Sequence, residues 1–135
     1  MKKLMMITML FALPLAVQAC GMGEVTPEGY ENADIEHAHQ HWEQGDKSAI
    51  PFQFLDVRTV KEYQSGHVPG AINIPIQELA KRIKEVPTDK QVYVYCESGT
   101  RSAKAAKLLA KSGYSRIENM GVGMSGWRDH GFPQE

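Results

Sequence analysis

Gln91–Gly113 reads QVYVYCESGTRSAKAAKLLAKSG. Val92, Tyr93, Val94 and Tyr95 form a short apolar run that reads as a buried strand and ends at Cys96. Glu97-Ser98-Gly99-Thr100 follows as a loop containing a glycine. Arg101 and Ser102 then open an alanine- and leucine-rich segment, which Gly113 closes as a helix-stop residue. Strand, loop and helix in that order put one thiol at the mouth of a ring of backbone N–H groups facing a helix N-terminus. Those groups and the helix dipole favour negative charge, so the loop suits a thiolate or a bound oxyanion.

The flanking sequence repeats the alternation. Phe52–Val57 is an aromatic and apolar strand ending in charge, and Thr59 with Glu62 three residues on forms a capping box for a short helix to Ser65. Gly66-His67-Val68-Pro69-Gly70 is turn chemistry, and Ala71–Ile74 is a second short strand closed by Pro75. Ile76, Leu79, Ile83 and Val86 recur at helical spacing before Pro87. The segment Ser102–Ser112 is the helix after Cys96, Arg116–Asn119 a last strand, and Gly121–Glu135 a glycine-rich loop with a short helix around Trp127. Toward the amino end, Tyr30–Ile35 reads as an edge strand and Glu36–Gln44 as a helix stopped by Gly45. His37 and His41 lie one turn apart on that helix, but with no third ligand placed they read as a solvated face rather than a metal site, with Trp42 as the packing residue. The expected fold is α/β: a mostly parallel central sheet of about five strands with helices on both faces. Ligands in such sheets bind beyond the carboxyl ends of the strands, where Asp56 and Cys96 both fall.

The chain's 135 residues suffice for one domain. Met1–Ala19 has a basic start (Lys2, Lys3), an apolar stretch Leu4–Val17 interrupted by Pro14, and a small-residue approach to a cut before Cys20. It reads as a signal peptide, with residues 20–29 a linker and residues 30–135 the domain. Export to a bacterial periplasm is the expected localisation. Val-Gln-Ala-Cys loosely resembles a lipoprotein box, so Cys20 is either a lipid anchor or a plain N-terminus. Without Lys2 and Lys3 the formal charge falls from −1 to −3, which carries no electrostatic footprint for nucleic acid. If Cys20 is lipidated or sits on a loose terminus, Cys96 has no disulfide partner in an oxidising compartment, where an unpaired thiol is a liability unless its reactivity is used. The bland alternatives are a Cys20–Cys96 bridge or an inert buried thiol.

Three chemistries compete for the loop. A phosphatase or arsenate-reductase loop spaces Cys and Arg by five residues, and here four separate Cys96 from Arg101. The tighter ring disfavours a phosphate or arsenate centre and leaves room for a sulfur atom on the cysteine. A thioredoxin-like dithiol needs a second cysteine where Ser98 and Gly99 stand. A cysteine hydrolase needs a histidine base, and nothing in the sequence places His67 or His130 beside Cys96.

LDVRTVKEYQSGHVPGAINIP (Leu55–Pro75), YCESGTRSAKAAKLLAKSGY (Tyr95–Tyr114) and the tail with Gly123, Trp127, Gly131 and Pro133 closely resemble a single-domain rhodanese, or sulfurtransferase. With a signal peptide, so short a chain is similar to the phage shock protein E type. The tail departs from the family at Val122, where a glycine is usual. The resemblance implies a thiosulfate sulfurtransferase without cofactor or metal. Cys96 would take sulfane sulfur from thiosulfate or a persulfide and pass it to cyanide or a thiol acceptor. Glu97, Ser98, Gly99, Thr100, Arg101 and Ser102 would form the persulfide-binding loop. Arg101 is read two ways: its charge aims at the donor's sulfonate, or it ties the loop to Glu62 or Asp56. Asp56, Arg58, Glu62 and His67 would be structural support, and the protein a monomer. Rhodanese folds also serve as sulfur carriers or docking modules without turnover, which is the alternative reading; an oxyanion enzyme ranks third. Glu97 at the loop rim is expected to raise the thiol pKa, repel dianionic thiosulfate and so set the donor preference.

Overall fold

The computed structural model describes residues 24–135. The expected signal peptide, Cys20 and the start of the expected linker lie outside the described residues. From there Val25 bridges Glu31 antiparallel, and the Thr26 hydroxyl donates to the Tyr30 carbonyl at 2.8 Å, so the chain turns back before its first strand.

The strands are β1 (Glu31–Asn32), β2 (Phe52–Asp56), β3 (Ile72–Asn73), β4 (Gln91–Tyr95) and β5 (Ile117–Asn119). The helices are α1 (Ile35–Gln44), α2 (Val60–Gln64), α3 (Ile76–Arg82), α4 (Thr100–Lys111) and α5 (Gly123–Asp129). They form one sheet ordered β1-β5-β4-β2-β3, parallel at every pairing, with β4 at its centre. Side chains alternate across a strand, so β4 supplies both cores. Val92 and Val94 pack with Leu55, Val57, Leu79, Ala105, Ala106 and Leu109 under α3 and α4. Tyr93 and Tyr95 face the other way, with Phe54, Ile35, Ala38, Met120, Met124 and Trp127 under α1 and α5. That two-sided burial is why QVYVY shows no polar alternation. Trp127 is fully buried and its indole N–H donates to the Pro133 carbonyl at 2.6 Å, fastening the tail to the domain. Trp127→Ala would cost about 3–5 kcal/mol.

The expected edge strand Tyr30–Ile35 narrows to β1, because the Asp34 side chain accepts from the N–H groups of Glu36 and His37 and caps α1, drawing Ile35 into the helix. The strand expected at Ala71–Ile74 is ordered as β3 over Ile72–Asn73 only. The helix after Cys96 begins at Thr100 rather than Ser102, because Gly99 turns the chain at φ 102° and its carbonyl already accepts from Ala103 N–H. Arg101 and Ser102 therefore stand in the first turn of α4. The solvated face expected for His37 and His41 holds for His37 alone. His41 is half-buried, with Nδ1 2.9 Å from the Tyr93 hydroxyl and Nε2 2.6 Å from Ser48 Oγ.

Candidate active site

Cys96 is the first residue after β4, at the carboxyl edge of the sheet, and is 1 % exposed. Among the described residues it is a free thiol. Its Sγ accepts from the N–H of Gly99 at 3.1 Å and of Ser102 at 3.4 Å, and lies 3.5 Å from the Ser102 hydroxyl. Burial pushes the thiol pKa up. The Ser102 hydroxyl and the N–H groups of Ser102, Gly99 and Ser98 push it down and prevail, so the thiol sits below its ordinary value.

The loop is shaped from behind by the connection between β5 and α5. Met124 N–H donates to the Cys96 carbonyl at 2.8 Å, and Ser125 N–H to the Glu97 carbonyl at 3.1 Å. A trans peptide points its C=O and N–H in opposite directions. With both carbonyls drawn toward α5, the N–H groups of Glu97 and Ser98 turn to the other side, into the loop. Two glycines allow this packing. A Cβ on Gly99 would lie 2.3 Å from the Gly121 carbonyl oxygen; one on Gly123, at φ 59°, would lie 2.4 Å from that of Cys96 and 2.6 Å from that of Glu97. Val122, where the family usually has glycine, fits because Gly126 beside it has no side chain.

Each carboxylate around the loop meets a guanidinium. Asp56 and Arg58 are both buried: Arg58 Nε lies 3.0 Å from both Asp56 oxygens, and Nη2 donates to Asp56 Oδ2 and to the Gly66 carbonyl at 2.7 Å each. Burial opposes the Arg58 charge, but the Asp56 pairing prevails and raises its pKa. Arg58 Nη1 also reaches Glu97 Oε2 at 3.3 Å. Glu62 closes the capping box with Thr59 and takes both Arg101 Nη groups, at 2.7 and 2.9 Å. Arg101 above all holds the Glu62 pKa at about 2. The Arg101 pKa is raised mainly by Glu62, with a further contribution from Cys96.

Glu97 pairs with Arg128 of α5 as well as with Arg58. The expected repulsive carboxylate is thus met by two cations, and the neighbouring thiol is stabilised as an anion rather than suppressed. His67 stacks on Tyr63, its Nδ1 2.9 Å from the Tyr63 carbonyl, while its backbone pairs with Glu135. His130 bonds the Gly126 carbonyl and Glu36. Neither histidine hydrogen-bonds Cys96, so no base is paired with the thiol. The geometry brings together the seven residues from Cys96 to Ser102 with Asp56, Arg58 and Glu62, and leaves His67 behind the Gly66 turn. Sequence reasoning missed Arg128 and the roles of Gly121 and the α5 amides; the glycine spacing of GVGMSGW was their only trace.

The rhodanese-like domain model matches residues 34–130. An uncharacterized Bacillus subtilis protein, YqhL, is 44 % identical over 75 residues, 56 % of this chain and 60 % of its own length, less than two thirds of it. The thiosulfate sulfurtransferase PspE of Escherichia coli is 41 % identical over 83 residues, covering 60 % of this chain and 76 % of that protein. Among solved structures, a rhodanese-related protein from Thermoplasma volcanium superposes with a TM-score of 0.70 at 29 % identity, over 78 % of this chain and 98 % of that one.

Proposed function

This chain belongs to the rhodanese-like family, and from that premise we propose that it is a sulfurtransferase that carries sulfane sulfur as a persulfide on Cys96. The observation that carries the reading is the nest around Sγ, where N–H groups and the Ser102 hydroxyl converge on one buried sulfur with no histidine base beside it. A base is unnecessary for this reaction, since an already anionic thiolate attacks and the leaving group departs as an anion. With thiosulfate, the Cys96 thiolate attacks the outer sulfur, the sulfur–sulfur bond breaks, and its electron pair leaves with sulfite. The product is a Cys96 persulfide anion. Cyanide or a thiolate then attacks the outer persulfide sulfur, giving thiocyanate or a new persulfide and restoring the Cys96 thiolate. Charge is conserved in both steps, and no cofactor is called upon. The loop N–H groups serve the persulfide as an oxyanion hole serves its oxygen. A thiol persulfide, small or protein-borne, fits the donor role as well as thiosulfate does.

The test is thiocyanate formation from cyanide with thiosulfate or with a thiol persulfide as donor. The expected result is turnover that disappears in Cys96→Ser; turnover that survives that substitution, or hydrolysis of phosphate esters in place of transfer, would overturn the reading. For localisation, the sequence of Met1–Ala19 supports export to the periplasm. Release of the protein by osmotic shock would follow from it, and retention in the cytosol would contradict it; retention in the membrane fraction would follow from lipidation at Cys20.

A further inference from the structure

The three guanidinium groups at the loop are committed to different degrees. Arg58 is 2 % exposed, and its Nε, Nη1 and Nη2 all have oxygen acceptors. Arg101 places Nη1 and Nη2 on Glu62, and its remaining influence is on the Cys96 sulfur. Arg128 is 41 % exposed and bonds through Nη2 alone, to Glu97 Oε1. Among the described residues, nothing accepts from its Nε or Nη1. A guanidinium has five N–H donors in a fixed fork that matches oxyanions, so one edge of Arg128 stays open to solvent. Arg128 also sits on α5, whose first amides hold the Cys96 and Glu97 carbonyls, so it is fixed relative to the loop.

We propose that Arg128 is a specificity-determining residue that receives the anionic head of the sulfur donor at the rim, and that Glu97 competes with that head for it. The proposal rests on the sulfurtransferase reading. The chemistry favours this arm over the other two. A sulfane donor such as thiosulfate carries its oxyanion one bond beyond the sulfur that Cys96 attacks, so the head group stays outside the buried sulfur's nest. Arg58 has no spare edge to offer there without abandoning a buried carboxylate, and the side of Arg101 that Glu62 does not take is engaged with the Cys96 sulfur. Arg128 meets the head with the N–H groups of its open edge while one N–H of Nη2 stays on Glu97. Glu97 thereby sets how much positive charge the rim presents: paired as it stands, it favours donors of low charge, and neutralised, it favours dianions.

The experiment is steady-state kinetics on the full chain with thiosulfate and, in parallel, with benzenethiosulfonate, a monoanionic donor of the same head chemistry. Arg128→Gln is expected to raise KM for thiosulfate about tenfold, with kcat changed less than about twofold, and to raise KM for the monoanion less. Arg128→Lys should recover part of the loss. Glu97→Gln should lower KM for thiosulfate roughly threefold, and that gain should vanish in the Arg128→Gln background. A fall in kcat with KM unchanged, or additive effects of the two substitutions, would show Arg128 to be a strut for the loop and overturn the inference while leaving sulfur transfer standing. Wild-type protein that forms no Cys96 persulfide with any donor would overturn both.

Discussion

At the carboxyl end of β4, Asp56, Glu62 and Glu97 each face a guanidinium, and the Cys96 sulfur is held by N–H groups and a hydroxyl, with Arg101 as its cationic neighbour. At the middle and amino end of the same sheet, Glu118 stands cross-strand to Tyr93 and to Glu31, and among the described residues it has no cationic partner. Burial, with the Glu31 charge, raises its pKa to about 7. Nearby, the buried Gln91 Nε2 has no acceptor among the described residues. The difference separates two tasks. At the carboxyl end each of these carboxylates is paired with a guanidinium, while the carboxyl that burial leaves without a cation, Glu118, lies away from the chemistry.

The largest expected effect comes from breaking the carboxyl end mechanically. Gly123→Ala should cost about 3 kcal/mol and most of the sulfur transfer, because its Cβ collides with the two carbonyls that orient the loop. Gly131→Ala is the control: it has a similar backbone, φ 68°, but nothing within 4 Å of the added carbon, so it should cost only about 1 kcal/mol and spare activity. Denaturant unfolding of the pair measures the difference, and equal costs would remove the steric role of Gly123.

Breaking the balance electrically comes next. Glu62→Gln unties Arg101 from α2, and kcat/KM should fall about tenfold. The same pair gives an acid signature. The Glu62 pKa is depressed when folded, so its stabilisation is present above pH 4.5 and lost as pH falls toward about 2. The variant should lack that part of the acid transition, seen by comparing unfolding midpoints across this range.

The smallest effect tests the other side. A raised carboxyl pKa means that Glu118 leaves the fold most stable below pH 4.5, with stability falling as pH rises through about 7. Glu118→Gln should therefore stabilise the protein at pH 8 by about 1 kcal/mol, after allowance for solvent screening of this half-exposed group. Its kinetic constants should match wild type. A kinetic change would mean that the two ends are coupled.

The sequence exposed the nucleophile because strand, loop and helix from Gln91 to Gly113 are contiguous: local spacing alone sets Cys96, Gly99 and Ser102 around one sulfur. Thr59 and Glu62 were legible for the same reason, as a local capping box. The tie from Glu62 to Arg101 was one of two partners offered, and only the packing of α2 against the loop selects it. Arg128 was hidden. Its approach to Glu97 depends on β5 lying beside β4, which brings residues about thirty positions apart to one rim and turns a repulsive carboxylate into a shared one. His41 shows the same limit on the other side of the sheet, where a residue on an apparent solvated face is drawn to Tyr93 by the packing of α1.

The thiol itself offers the most direct measurement. Intact-protein mass spectrometry after incubation with thiosulfate or a thiol persulfide should show the mass of one added sulfur, mapped to the peptide containing Cys96, removed by cyanide and absent in Cys96→Ser. A protein that gains no sulfur at Cys96 from either donor, while its thiol remains reactive to alkylation, would contradict the assignment of Cys96 as the sulfur carrier.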